Sequence, residues 1–537
     1  MNLKKILQGL VFIIVLSIAA HLIFSSLGFV PSDDGFMLAY TRRLLDGQIP
    51  YKDFLSAHNI GTPILWMPFV YFGGAYTFWI TRFAVWFEFA AIAWIWTSII
   101  SKAFIKKEIS IVAKFVLGLI AFFFTAHSFP PMVWYTIDGL FVYSIAIVLC
   151  RQDKIYAKII GYMLVGVTFI IKQNFIFLLP AAIFLLGDWK SKKYWLSLVT
   201  PLAVYYLVLF ALAGIPSVLM QTTSRTEFVQ TAIKGFVAKF TFPWGILVGI
   251  AGSFLLQNKN FNKVFLGFLL IFFPVIYSVF YLNNSGKFIW DCSFFLFGTV
   301  LGMAIYFLNK KMYEKVSLMF IGIIVAWSVA ISGGYNTPVF ASGILFIYIY
   351  FSLIYLFSLN KQFERILVRS LNVIVIILLP IIIYNFYLLR VNNVYGEARP
   401  ASQLTYSVAN VLPGGKNLFT SKDVYEKLKD LQLAEKIVKK ENKQYAILPA
   451  YAALWVKSEQ ANPLPMDYPF ISNDQKALVQ PLMNAIKKER GRIIIIVDKE
   501  SLSQPEDYSD AAIFPISLVP EKYYRKLTET KYFILYQ

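Results

Sequence analysis

Apolar runs of about 20 residues, the length that crosses a bilayer as a helix, recur from Ile6 to Leu389 and then stop. The short polar segments between them alternate in character. One set is basic: Lys4-Lys5; Lys102, Lys106 and Lys107; Arg151, Lys154 and Lys158; Lys190, Lys192 and Lys193; Lys259 and Lys263; Lys310, Lys311 and Lys315; Lys361, Arg365 and Arg369. Cytoplasmic loops carry the excess of Lys and Arg in membrane proteins. This set therefore faces the cytoplasm and the intervening loops face outward. The alternation yields about 13 spans, with the N-terminus inside and the chain beyond Arg390 outside. Two short runs between Ile159 and Leu186 are divided by Lys172-Gln173-Asn174, which reads as an outer turn because the basic loops on either side must both lie inside. The first span, preceded by Lys4-Lys5, also has the form of a signal peptide. The acidic loop after it needs tethering near the bilayer, which favours a retained anchor.

Composition agrees with this pattern. The chain is 58% hydrophobic and only 15% charged, against roughly 25% charged for a soluble domain. Its net charge of +20 would suit nucleic acid if it formed one patch, but it is dispersed over the cytoplasmic loops. The two cysteines, Cys150 and Cys292, fall near opposite faces and offer no disulfide framework. The expected architecture is mainly α: a polytopic membrane domain over residues 1–389, and a small extracytoplasmic α/β domain over residues 390–537. In the latter the sequence predicts a helix from Asp423 to Lys440, a strand from Tyr445 to Leu448, a helical stretch from Gln475 to Lys488 broken at Pro481, and a strand at Ile493–Val497 buried on both faces.

The first outer loop, residues 29–76, carries helix punctuation. Pro31-Ser32-Asp33-Asp34-Gly35 precedes a short amphipathic helix that should lie in the membrane interface, capped by Ser32 or Asp33 and stopped by Asp46-Gly47. A second helix starts at Thr62-Pro63, with its aromatics, Trp66 among them, suited to the headgroup level. Other outer segments carry His127, Asp138, Asp291 and Gly333-Gly334-Tyr335-Asn336.

With only 30 Asp and Glu in 537 residues, an adjacent acidic pair at the outer membrane face calls for an explanation. One helix cap uses one carboxylate. The second, repelled by its neighbour, requires a nearby cation or a chemical role. Lys172 is the other unusual residue, since a lysine between two apolar runs costs roughly 2.5–3.5 kcal/mol at the bilayer centre unless it snorkels to water. Lys172, Gln173 and Asn174 present many donors in one turn, which favours an anionic partner.

Asp33-Asp34-Gly35, followed by Ala39-Tyr40-Thr41-Arg42-Arg43-Leu44-Leu45-Asp46-Gly47 and Pro50-Tyr51-Lys52-Asp53-Phe54, resembles the first outer loop of GT-C glycosyltransferases. The resemblance is to the bacterial branch related to protein O-mannosyltransferases and to the lipid A aminoarabinose transferase. Arg82, Asp138 and the Gly334 to Pro338 turn are similar to features of that branch. Two departures stand out: the usual Asp-Glu is here Asp-Asp, and a Glu-Lys-Pro-Pro stretch is replaced by His58-Asn59-Ile60-Gly61-Thr62-Pro63, leaving a phosphate-contacting lysine unmatched. The resemblance implies an inverting transfer of a sugar from a polyprenyl-phosphate donor to an extracytoplasmic glycan, lipid or protein in the bacterial inner membrane.

The chemistry supports the same reading independently. A sugar on a lipid phosphate already has a good leaving group, so a general acid is unnecessary, unlike the two-carboxylate hydrolysis of an ordinary glycoside. One base and one or more phosphate-binding cations remain to be found. Asp33, with Asp34 beside it, is the catalytic candidate. Arg82, Lys172, Gln173 and Tyr335 are candidates for the donor phosphate, with Arg43 and Lys287 behind them, and Arg42, Asp53, His58, Asp138 and Asn336 for the acceptor or for orienting these groups. Glu88 lies deeper in the second span. The scattered His21, His58 and His127 suggest no obligatory metal or cofactor. Two other readings stay open: a transporter or flippase of lipid-linked saccharides, for which midplane polar groups would be expected, and an envelope polysaccharide polymerase or ligase.

Overall fold

The computed structural model describes residues 3–105, 109–127, 131–223, 228–237, 239–282, 287–331, 337–397, 399–469, 477–503 and 516–537. Among these, eight helices are long and apolar enough to cross a membrane, and five shorter apolar helices accompany them. The chain is a polytopic membrane protein built mainly of helices.

Helix α1 (Leu3–Phe24) leads into the first loop, which carries α2 (Phe36–Leu45), α3 (Gly61–Leu65) and α4 (Met67–Phe72). Then come α5 (Thr77–Phe104), α6 (Ile111–Thr125), α7 (Tyr135–Cys150), α8 (Ile155–Ile171), α9 (Leu178–Leu185) and α10 (Lys192–Ala213). The turn at Lys172 to Phe177 separates α8 from α9, as the basic loops on either side required. Short helices α11 (Ile215–Thr222) and α12 (Phe228–Val237) precede α13 (Thr241–Leu255), α14 (Phe261–Phe280), α15 (Lys287–Asn309), α16 (Tyr313–Ala330), α17 (Ser342–Leu359) and α18 (Glu364–Asn392). The last of these ends at Asn392, slightly beyond the expected Leu389.

Burial sorts the helices. The segment Pro338–Leu359 is 89% buried and lies at the centre, while α10 is 11% buried and turns Leu196, Leu207 and Leu212 outward. Side chains of that kind suit lipid, because hydrocarbon solvates them as well as a protein core does. Helices α13 and α15 approach until backbone meets backbone: a Cβ on Gly302 would stand 2.3 Å from the Ile246 carbonyl oxygen.

The tail follows α18. Strands β1 (Tyr406–Ser407) and β2 (Phe419–Thr420) form a small antiparallel pair, and α19 (Lys422–Lys440) is capped by the Ser421 side chain. The main sheet has the order β3-β4-β6-β5, from β3 (Gln444–Leu448), β4 (Ile493–Asp498), β5 (Lys526–Glu529) and β6 (Phe533–Tyr536). Strand β4 is buried along its whole length, parallel to β3 and antiparallel to β6, as a continuous apolar run requires. Helix α20 (Ala452–Val456) follows β3, and α21 (Val479–Lys488) precedes β4. Pro481 sits in the first turn of α21 and does not interrupt it, since the missing N–H has no partner to lose there.

The tail is packed into the membrane domain. One continuous apolar core includes helix α5, helix α2, α20 and part of the main sheet. Gly35 marks the closest approach, where a Cβ would lie 1.9 Å from the Ala453 amide nitrogen. The Ala453 amide also donates to the Pro31 carbonyl at 2.9 Å. Helix α2 is consequently buried from Phe36 to Thr41, with α20 of the tail packed against it.

Candidate functional site

The acidic pair is resolved into two different environments. Backbone closes the loop, with the Asp34 amide donating to Val30 and the Phe36 amide to Asp33. Gly35 stands at the N-cap of α2 and no side chain caps the helix, so neither Ser32 nor Asp33 has the expected capping role. At the other end the helix stops at Asp46, and Gly47 follows with φ +78°.

Asp34 is paired with Arg82 of α5. The guanidinium meets its carboxylate at 2.9 and 3.0 Å, while the second Asp34 oxygen accepts from the Val30 amide at 2.9 Å. Both side chains are buried. The other guanidinium N–H groups reach the carbonyls of Ser25, Gly28 and Leu27 at 2.8 to 3.3 Å. Arg82, expected among the donor-phosphate ligands, thus holds the loop and answers the charge of the second acid.

Asp33 has a different shell, made of hydroxyls. Tyr395 donates to one oxygen at 2.8 Å; Ser32 at 3.1 Å and Tyr468 at 3.3 Å donate to the other. Burial raises the Asp33 carboxyl above the ordinary Asp range, the Tyr395 and Ser32 hydroxyls oppose that, and the Asp34 charge adds to it. A half-buried carboxylate with raised basicity, held by neutral donors, is suited to take a proton.

Around this carboxylate the structure gathers aromatic side chains that lie far apart in sequence. Tyr468 packs on Phe36 with 4.7 Å between ring centres, and Phe36 meets His58 and Trp134 at 5.9 and 5.8 Å. His58 rests on Tyr135 at 4.8 Å. Lys172 closes the series, its ammonium 5.5 Å from the Tyr135 ring centre and 5.3 Å from that of Phe175. The Lys172 ammonium donates to the Thr136 hydroxyl at 2.9 Å, and the residue is 2% exposed. It does not snorkel to water. Gln173 fixes the same turn to the first loop by donating to the Ala57 carbonyl at 3.0 Å.

The first loop is braced from below. Tyr51 takes φ +66°, a left-handed conformation that costs a non-glycine residue of order 1–3 kcal/mol. Its hydroxyl donates to the His58 carbonyl at 2.8 Å, and Gln221 of α11 donates to the Tyr51 carbonyl at 2.8 Å. These contacts hold the segment that carries His58.

Other expected residues are placed elsewhere. Asp138 does not cap α7 and binds neither Arg82 nor Lys172 by a hydrogen bond; it accepts from the Trp66 indole at 2.9 Å and meets the Glu88 side chain. Trp66, expected at headgroup level, is buried for that purpose. Arg42 pairs with Asp46 at 2.8 Å along the helix surface, and Asp53 accepts from the Ile49 amide at 2.7 Å in an exposed turn. Arg43 is buried against Asp467 of the tail. His127 donates to the Leu282 carbonyl, and burial lowers it to about 3. Tyr335 and Asn336 lie outside the described residues, as does the Lys287 side chain. Among the described residues, no three His, Cys, Asp or Glu side chains are placed to hold a metal ion. Both cysteines are free and buried. A cavity of about 290 Å³ opens at the opposite end of the bundle, beside Arg151, Lys158 and Glu314, and contains none of the candidate residues.

No family model matches the chain, and no curated protein does. Among solved structures the chain is similar to the crystal structure of ArnT from Cupriavidus metallidurans bound to undecaprenyl phosphate. That likeness covers 98% of this chain and 97% of the other, at 10% identity and a TM-score of 0.44.

Tyr395, Tyr468, Trp134, Tyr135 and Thr136 were not singled out by sequence. The two tyrosines reach Asp33 across 362 and 435 residues, and no local spacing announces such contacts.

Proposed function

We propose that this protein is a membrane glycosyltransferase that moves a sugar from a polyprenyl-phosphate donor to an acceptor hydroxyl, with inversion, using Asp33 as general base. The observation that carries the reading is the division of labour in the acidic pair. Asp34 is neutralised by Arg82, while Asp33 is held by hydroxyls in a partly desolvated site where its basicity is raised.

In the proposed step, an acceptor O–H gives its proton to Asp33 as the acceptor oxygen bonds to the anomeric carbon. The bond from that carbon to the phosphate oxygen breaks, and the electron pair leaves with the lipid phosphate. Because phosphate leaves well, no acid is needed, and charge stabilisation of the departing phosphate is the second requirement. Lys172 is the cation suited to it, being buried on the far side of the aromatic series from Asp33. Gln173 and Tyr335 are kept as further donors to the phosphate, and His58 and Asn336 as acceptor contacts. Arg82 and Asp138 support the site through Asp34 and Trp66.

The positive-inside pattern of the loops supports a cytoplasmic N-terminus with the site and tail outside, and the resemblance of the first loop supports a bacterial inner membrane. The acceptor is an extracytoplasmic glycan, lipid or protein hydroxyl, and no metal is obligatory. The test is to purify the protein with native lipid and identify any bound polyprenyl-phosphate sugar by mass spectrometry. Wild type and Asp33→Asn are then assayed for release of lipid phosphate coupled to sugar transfer. Full transfer by a normally folded Asp33→Asn protein would remove Asp33 as the base, and loss of transfer on chelation would require a metal.

A further inference from the structure

We propose that the tail is a working part of the site: Tyr395 and Tyr468 are positioning residues for the Asp33 carboxylate, and the buried Arg43–Asp467 pair is the latch that delivers Tyr468. This rests on the reading of Asp33 as the base.

The two hydroxyls arrive from different segments and bind different oxygens, Tyr395 at 2.8 Å and Tyr468 at 3.3 Å. Together with the Ser32 hydroxyl they fix the rotation of a carboxylate that caps no helix. Each tyrosine is anchored beside its ring. Tyr395 occupies the turn after α18, closed by the Val394 amide donating to the Arg399 carbonyl at 3.0 Å. Glu397, two residues on, is buried and accepts from the Phe29 amide at 3.1 Å and from the Thr420 hydroxyl, which ties that turn both to the acidic loop and to β2.

Tyr468 follows directly on Asp467. That carboxylate takes two hydrogen bonds from Arg43 of α2, at 2.5 and 2.8 Å, and a third from Asn462 at 3.0 Å. Arg43 also donates to the Leu464 carbonyl at 2.6 Å. The segment from Asn462 to Tyr468 is therefore closed on itself and bolted to the helix that begins two residues beyond Asp34. Apolar packing alone would hold a supporting domain in place. These polar anchors instead converge on the residues next to the ones that touch Asp33.

A base that must meet an incoming hydroxyl gains from a fixed orientation, and displacement by about 1 Å can cost on the order of 100-fold in rate. Tyr395→Phe and Tyr468→Phe remove only the hydroxyls. Each should lower kcat about ten-fold and the pair about a hundred-fold, with the donor KM unchanged. The acid limb of the pH profile should move to higher pH, because a hydroxyl donating to the carboxylate favours its ionised form. Asp467→Asn should lower kcat in the wild-type background and do much less in Tyr468→Phe, since the latch acts through that hydroxyl. Folding is followed by thermal melts, and Asp33→Asn is assayed in parallel.

If Asp33→Asn abolishes transfer while both Tyr→Phe proteins keep the wild-type acid limb and kcat within two-fold, the positioning role is overturned and the base stands. If Asp33→Asn retains transfer, the base itself is overturned. An undiminished effect of Asp467→Asn in the Tyr468→Phe background removes the latch and leaves the tyrosines.

Discussion

Asp34 and Asp33 are adjacent in the chain and occupy environments of opposite kind. Asp34 is buried against a guanidinium, with its second oxygen on a backbone amide. Asp33 is half-buried among phenolic and aliphatic hydroxyls, with no helix cap to serve. The first arrangement satisfies a charge; the second leaves a carboxylate charged at a cost. An adjacent acidic pair thus needs no single explanation. On the proposed reading its first member supplies chemistry, while its second, paired with Arg82, holds the loop that carries the first.

The largest expected effect falls on Asp33. Replacement by Asn should reduce transfer by about 10²- to 10⁴-fold, the usual worth of a general base, while the melting temperature stays level or rises. The sign follows from the raised carboxyl. A folded-state value above the unfolded one means that the native state favours the protonated acid, a contribution present below the unfolded value and lost as pH rises through the folded value. At neutral pH the Asp33 charge is therefore a burden that Asn relieves. Wild-type transfer should fall with acidification at a pH above that of an ordinary Asp. A marked loss of stability in Asp33→Asn would place it with Asp34 as a structural acid.

Asp34→Ala should do the reverse. Breaking a buried pair by removing one partner leaves the other charge uncompensated and costs about 3–5 kcal/mol, readable as a shift of the denaturant midpoint. Transfer per folded molecule should fall less than in Asp33→Asn. If Asp34→Ala melts normally but has lost all transfer, the roles of the two acids are exchanged.

How much of this was legible depended on the range of the interaction. Runs of about 20 apolar residues announced the spans, and the basic loops placed the turn at Lys172 correctly between α8 and α9. Asp46-Gly47 marked the end of α2, and the isoleucine run marked a strand buried on both faces. Strands β5 and β6 were missed because they are four residues each, and β5 has Leu527 as its one apolar residue among Lys, Thr and Glu. The cap of α2 was misread because Ser and Asp favour caps locally, whereas here Tyr395 and Tyr468, distant in sequence, take the Asp33 carboxylate, and the Ser32 hydroxyl donates to it as well. The acidic pair stood out in sequence through its acid-poor context, and the resemblance of the loop selected Asp33 within it. Its tyrosine partners did not, since tertiary folding alone brings them there.

Lys172 extends the comparison to the cations, because Arg82 is bound to the Asp34 carboxylate while the contacts of the Lys172 ammonium include the Thr136 hydroxyl, the Ser328 and Val329 carbonyls and two aromatic faces. A hydrogen bond to a charged group contributes about 1.5–3 kcal/mol, so Lys172→Ala should raise the donor KM roughly ten-fold or more with a smaller change in acceptor use. Unchanged donor kinetics would return Lys172 to a purely structural place in the turn.

The smallest effect is expected at Arg42, which sequence placed near the acceptor. Its side chain is 30% exposed and pairs with Asp46 one turn along α2, with a long contact of 3.4 Å to the Ser458 carbonyl. Exposed pairs at this spacing contribute about 0.3–0.5 kcal/mol. Arg42→Ala should therefore leave the melt nearly unmoved and acceptor KM within about two-fold. The contrast with Arg43, its buried neighbour on the tail latch, is the sharper measure: the two arginines are adjacent, and only the one turned toward Asp467 should matter. A large rise in acceptor KM for Arg42→Ala would put the acceptor path along the exposed side of α2 and move the working face of the loop away from the tyrosines.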